Sequence, residues 1–152
     1  MGRAIASVIV GYVVMALIVF LTFSLAYLAM GADGAYEPGT YDVSILWIVC
    51  AFVLSFIAAL VGGYVAAAIA KSGRPILVLI GLVIVLGALS AIMTGSGAAD
   101  LPTVRDVDPS VFEAMQYSWQ PSWVAWLTPV VGALGVFFGS AWRMQARASS
   151  SS

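Results

Sequence analysis

The sequence predicts an all-α polytopic membrane protein: an antiparallel four-helix transmembrane bundle with a short interfacial helix before the fourth span. Three observations lead there. Of 152 residues, 62% are hydrophobic and only 9% charged, where soluble domains carry roughly 25% charged residues. The apolar residues gather in runs long enough to cross a hydrocarbon layer about 30 Å thick. The basic residues cluster at places that share one side of a membrane only if the chain crosses it four times.

The first run, residues 4–30, follows Arg3. A signal peptide also opens on a basic residue, but its apolar core is about 7–15 residues long. This run is about 40 Å as a helix at ~1.5 Å per residue, so it reads as a retained span. Ser7 and Gly11 make a notch of small residues near its start, and Thr22, Ala26 and Ala29 make another near its end. The hydroxyls of Thr22 and Ser24 can return to carbonyls one turn back. Residues 31–42, GADGAYEPGTYD, have the Gly, Pro and Asp punctuation of irregular chain. The second span, 43–70, enters at Trp47, with Tyr27, Tyr36 and Tyr41 nearby as an interfacial belt.

Within that span Ser55, Ala58, Ala59, Gly62, Gly63, Ala66, Ala67 and Ala70 put small residues three and four apart along one side. In lipid this spacing lets another backbone approach closely. Ala58, Gly62, Gly63 and Ala66 are therefore expected to be helix-packing positions. A basic turn with Lys71 and Arg74 follows, and Pro75 suits the first turn of the third span, 75–94. Gly81, Ala88 and Gly95 recur there at seven-residue spacing.

The outer segment 95–120 is the longest polar stretch. Asp108 or Ser110 can cap a short helix, with Ser110 and Glu113 spaced as a capping box. Phe112, Met115 and Trp119 fall on one side of it, facing lipid or a partner. The fourth span, 121–142, carries Ala125, Thr128, Gly132, Gly135 and Gly139 as a narrow stripe, so Gly132, Gly135 and Gly139 join the expected packing positions. Pro129 is expected to loosen this helix near Ala125. Residues 143–152 read as a polar cytoplasmic tail, disordered beyond Arg147.

Arg3, Lys71, Arg74, Arg143 and Arg147 share one side of a four-span chain. The other side holds Arg105 with Asp33, Glu37, Asp42, Asp100, Asp106, Asp108 and Glu113. By the positive-inside rule both termini are cytoplasmic.

Chemistry is sparse. There is no histidine and one cysteine, Cys50, which removes an intrachain disulfide, a CxxC redox pair and imidazole ligation. No Asp, Glu, Lys, Arg or His falls inside a span, which disfavours a proton-coupled transporter. Ser55 has only Lys71 as a candidate base, about 24 Å away along one helix at ~1.5 Å per residue. Asp106 and Asp108 match no calcium-loop spacing. Tyr117, Trp119, Trp123 and Trp126 read as an interfacial anchor. No catalytic residue, metal, cofactor or nucleic-acid partner is expected.

At GGYVAAAIAKSGRP, residues 62–75, the chain resembles uncharacterised small bacterial four-helix membrane proteins with a Gly-Gly-aromatic motif in the second helix. The resemblance implies a bacterial inner membrane and supplies no activity. The expected function is that of a non-enzymatic integral membrane protein acting through helix packing, an accessory or assembly subunit of a larger complex whose partners are lipid and other membrane-protein subunits. The alternative is a passive channel or small-solute facilitator formed by oligomerisation.

Overall fold

The computed structural model describes residues 2–70, 72–97 and 109–149. Lys71, Asp100, Arg105, Asp106 and Asp108, which entered the charge and metal readings, lie outside the described residues, as do the side chains of residues 94–97. Five helices follow in order: α1 (Gly2–Ala35), α2 (Ile45–Ile69), α3 (Arg74–Gly97), α4 (Val111–Tyr117) and α5 (Ser122–Ser149). Four of them, all but α4, are long and apolar enough to cross a membrane. Among the described residues there is no strand beyond two isolated bridges, Tyr36 with Val43 and Asp42 with Trp119.

Each boundary has a local cause. In α1 the helical course breaks at Gly31, at φ 68° and ψ 175°, a conformation glycine reaches without a Cβ penalty. Another helical turn follows, so residues 32–35 are not the irregular loop expected from their composition; Ala32 and Ala35 are buried there. Ser44 caps α2, its hydroxyl accepting from the Trp47 N–H at 3.1 Å while donating to Gly34 O at 2.7 Å. Ser110 caps α4 in a complete capping box with Glu113. The short helix ends at Tyr117, so Trp119 lies beyond it in extended chain, where its N–H donates to Tyr41 O and its carbonyl accepts from Val43 N–H. Residues 143–149, expected as a polar tail, continue α5 without a break; Arg, Met, Gln and Ala there are all strong helix formers.

Pairing between helices follows the small residues. One side of α2 meets α1: a Cβ on Gly11 would sit 2.7 Å from the Ala66 Cβ, and one on Gly62 would sit 2.8 Å from Gly11 O. The adjacent side meets α5, where a Cβ on Gly135 would come 2.8 Å from Phe56 O and one on Gly139 would overlap the Leu60 carbonyl. The main neighbour of α3 is α5, although a short turn ties α3 to α2. The contact in α3 falls at Gly87, against the ring of Pro129, and not at Gly81, where a Cβ would meet no atom within 4 Å. Pro129 is buried, so the residue that removes a helical hydrogen bond also supplies a flat surface for its neighbour.

Two packed regions result. Leu79 and Val136, both fully buried, sit with Ala59, Ala66, Ala67 and Ile76 toward the end that holds Ser7 and Arg147. The second region, at the opposite end, groups Tyr27, Tyr36 and Tyr41 with Ala32, Ala35 and Ala114.

Candidate functional site

The tyrosine-rich end contains a concave feature. Tyr27 projects from α1 just before the break at Gly31, and Tyr36 follows the extra turn that the break creates. Both rings are buried. A buried phenol requires a hydrogen-bond partner, and both hydroxyls donate toward α4: Tyr27 to Pro109 O at 2.7 Å and Tyr36 to Ala114 O at 2.9 Å. Two residues far away in the chain thus fasten α4 over α1. Rings then meet edge-on in series, Phe23 with Trp47 at 5.8 Å, Trp47 with Tyr27 at 6.3 Å, and Tyr36 with Tyr41 at 5.8 Å. Tyr117 closes the row against Tyr41 at 5.6 Å.

Between these rings and α4 lies a cleft of about 480 Å³. Phe23, Tyr27, Tyr36 and Trp47 form its walls, and Gln116, Ser118 and Gln120 supply polar groups. A second hollow of about 230 Å³ shares Val19, Phe23, Val43, Trp47 and Gln120 with it and reaches Ser55 and Thr128. The lining residues of both include no Asp, Glu, Lys, Arg or Cys. Ser24 and Thr128 return their hydroxyls to Phe20 O and Val124 O. The described residues of this arrangement offer apolar walls and neutral hydrogen-bonding groups, which can bind and orient a neutral or apolar group.

Among the described residues, the charged groups near this end are acids. Glu113 accepts from the Ser110 N–H and hydroxyl, both at 2.8 Å. The backbone N–H first and then the hydroxyl hold its carboxyl below the ordinary glutamate range. With the folded-state pKa lowered, the cap is fully present above the unfolded value and is lost as pH falls through the folded one. Backbone amides at the start of α4 are expected to lose hydrogen-exchange protection on acidification, and Glu113→Gln should make that protection insensitive to pH. An equal acid response in the glutamine variant would remove Glu113 as the cause.

The expected packing residues lie elsewhere. Ala58, Gly62, Gly63 and Ala66 are buried on α2, and Gly132, Gly135 and Gly139 are buried on α5. Gly132 faces Val83 on α3, while Gly63 faces Val136 on α5. Phe112 and Met115 are 74% and 61% exposed. Phe112 and Met115 stand three residues apart on α4, with Met115 also edging the cleft, while Trp119 lies beyond the end of that helix.

At the far end α5 and α2 are joined by Arg147, which donates to Ala70 O at 3.0 Å and Ala68 O at 2.6 Å. The carbonyls of a last helical turn have no intrahelical partner, and the guanidinium serves two of them. Nearby, Arg143 holds its guanidinium carbon 5.6 Å from the centre of the Tyr64 ring. Among the described residues no group of three or more His, Cys, Asp or Glu could hold a metal.

No protein-family model, curated protein or solved structure matches this chain. Its function therefore has to be argued from its own residues.

The cleft residues were only half legible. Aromatic density around residues 27–47 marks that end of the chain, but whether Tyr27 and Tyr36 face lipid or α4 depends on contacts some 80 residues apart.

Proposed function

We propose that this chain is a non-enzymatic integral membrane protein of a bacterial inner membrane that acts as an accessory or assembly subunit of a larger complex. In this reading α1, α2, α3 and α5 form an antiparallel transmembrane bundle with both termini cytoplasmic, and α4 lies in the outer interface. The observation that carries the reading is the fastening of α4. Two buried tyrosine hydroxyls hold it from beneath, so Phe112 and Met115 present apolar surface from a fixed support. Preorganised apolar groups of this kind lower the ordering cost of binding a partner.

Two experiments test it. Purified in mild detergent, the chain should carry a stoichiometric membrane-protein partner, and Phe112→Ser with Met115→Ser should release that partner without changing the stability of the chain. Recovery of the chain alone would sink the subunit reading. For orientation, Cys50 is replaced and single cysteines are placed at exposed Ser72, Ser149 and Glu37. The first two should label only from the cytoplasmic side and the third only from outside. Labelling of Ser72→Cys and Glu37→Cys from one side would end the four-span topology.

A second reading, a passive facilitator, draws on the hollow that reaches Ser55 and Thr128. The opposite end is filled by Leu79, Val136 and close-packed glycines, so a path through the membrane in this reading runs between copies. A lone homo-oligomer in the same purification would favour it.

A further inference from the structure

We propose that the cleft between α1, α2 and α4 is a binding site for one acyl chain of an outer-leaflet phospholipid with an ethanolamine head group. The leaflet rests on the orientation proposed above; the site itself rests on the cleft.

The shape comes first. The two hollows share five lining residues and together run from Gln116 and Ser118 at one end to Ser55 and Thr128 at the other. Phe23 pairs with Trp47 across α1 and α2, whereas Gly11 pairs with Gly62 and Ala66 nearer the opposite end. The hollow therefore extends along the helices, a slot that suits a flexible chain better than a compact solute. Its volume is in the range of sites that enclose small ligands, about 300–1,000 Å³.

The chemistry is graded in the same direction. Gln116 and Ser118 stand at the α4 end; beyond them the walls are mainly aromatic and aliphatic, with Gln120, Ser55 and Thr128 as the polar residues. A hydrocarbon chain gains dispersion contacts with the aromatic and aliphatic walls that Val19, Phe23 and Trp47 provide. Access is lateral: Phe20, 56% exposed, and Met115, 61% exposed, flank the opening on the surface that a bilayer would cover. A lipid can enter from its own leaflet without crossing water.

Charge selects the head group. Glu37, Asp42 and Glu113 are exposed at this end, and no Lys or Arg stands beside them among the described residues. Anionic heads such as phosphatidylglycerol are repelled there, and an ammonium is attracted.

The test uses the full chain with Trp47 as the sole tryptophan, the other four changed to phenylalanine, in symmetric bilayers of unlabelled phosphatidylglycerol. A small fraction of phosphatidylethanolamine brominated on its acyl chains should quench Trp47 with saturation, about fivefold more than the same fraction of brominated phosphatidylglycerol, the ratio that one charge interaction at a membrane surface confers. Val19→Phe, placed in the shared part of the hollow and leaving Trp47 the sole tryptophan, should abolish the head-group preference. Native mass spectrometry of the unaltered chain from mixed lipid should retain one phosphatidylethanolamine, which keeps the test independent of whether the multiple variant folds. Quenching that follows mole fraction equally for both lipids, or retention of neither or of the anionic one, overturns the proposal. Partner co-purification is measured separately, so failure here leaves the subunit reading standing and the converse also holds.

Discussion

Gly139→Leu is expected to cost roughly 3 kcal/mol of stability, the upper part of the range for overpacking. The reason is what lies opposite. Where a Cβ would stand, the Leu60 carbonyl already does, and backbone cannot rotate away as a flexible side chain can. To admit even alanine, α2 and α5 must move apart, which forfeits dispersion contacts along the whole pair, and in lipid no hydrophobic force replaces them. Gly81 is the internal control. A Cβ there meets no atom within 4 Å, and alanine is the better helix former by about 1 kcal/mol, so Gly81→Ala should be neutral or stabilising while Gly139→Ala destabilises. Midpoints of SDS-induced unfolding for the three variants decide the matter. If Gly81 and Gly139 variants shift together, close approach of the two helices is not what holds the fold.

Arg147→Ala carries the second large effect, a loss of about 2 kcal/mol, the range measured for hydrogen bonds that involve a charged partner. The variant leaves the carbonyls of Ala68 and Ala70 without the guanidinium that serves them and separates the ends of α2 and α5. Lysine offers a point charge without the planar fork, so Arg147→Lys should recover only part of the loss. Hydrogen exchange at the Ala70 amide, which donates to Ala66 O at 2.9 Å, reports the same event locally. An alanine variant with unchanged exchange and unfolding would mean that water or lipid head groups serve those carbonyls equally well.

The contrast between Gly139 and Gly81 also shows what could and could not be read from the chain. The spacing of Gly62, Gly63, Ala66 and Ala67 marks one side of α2 as a place for close approach, because small residues at three and four are a property of that helix alone. Which helix arrives is a property of two, and nothing in α2 says that α1 takes one half of the stripe and α5 the other. In α3 the seven-residue spacing of Gly81 and Ala88 drew the eye, yet the contact formed at Gly87, since the partner is a proline ring on α5. Arginine and serine in residues 143–149 suggested a solvated tail. The helix propensities of Arg, Met, Gln and Ala argued for continuation, and Arg147 had two carbonyls to reach. The cleft was the least legible feature, because it needs Tyr27 and Tyr36 to find Pro109 and Ala114.

The short connection between α2 and α3 joins two helices that scarcely touch, since α3 rests mainly on α5. Chains are made from the N-terminus onward, and in membranes helices insert before they associate. In the four-span reading proposed above, the third crossing is therefore complete before its main support exists. During that interval the exposed flank of Gly87 and Val83 has only lipid, or an insertion factor, against it, and arrival of Pro129 on α5 is the event that ends the wait. A ribosome stalled between the third and fourth crossings would hold the protein as a three-helix intermediate with one loose member. That moment in synthesis is when quality-control proteases would have their best opportunity to remove it.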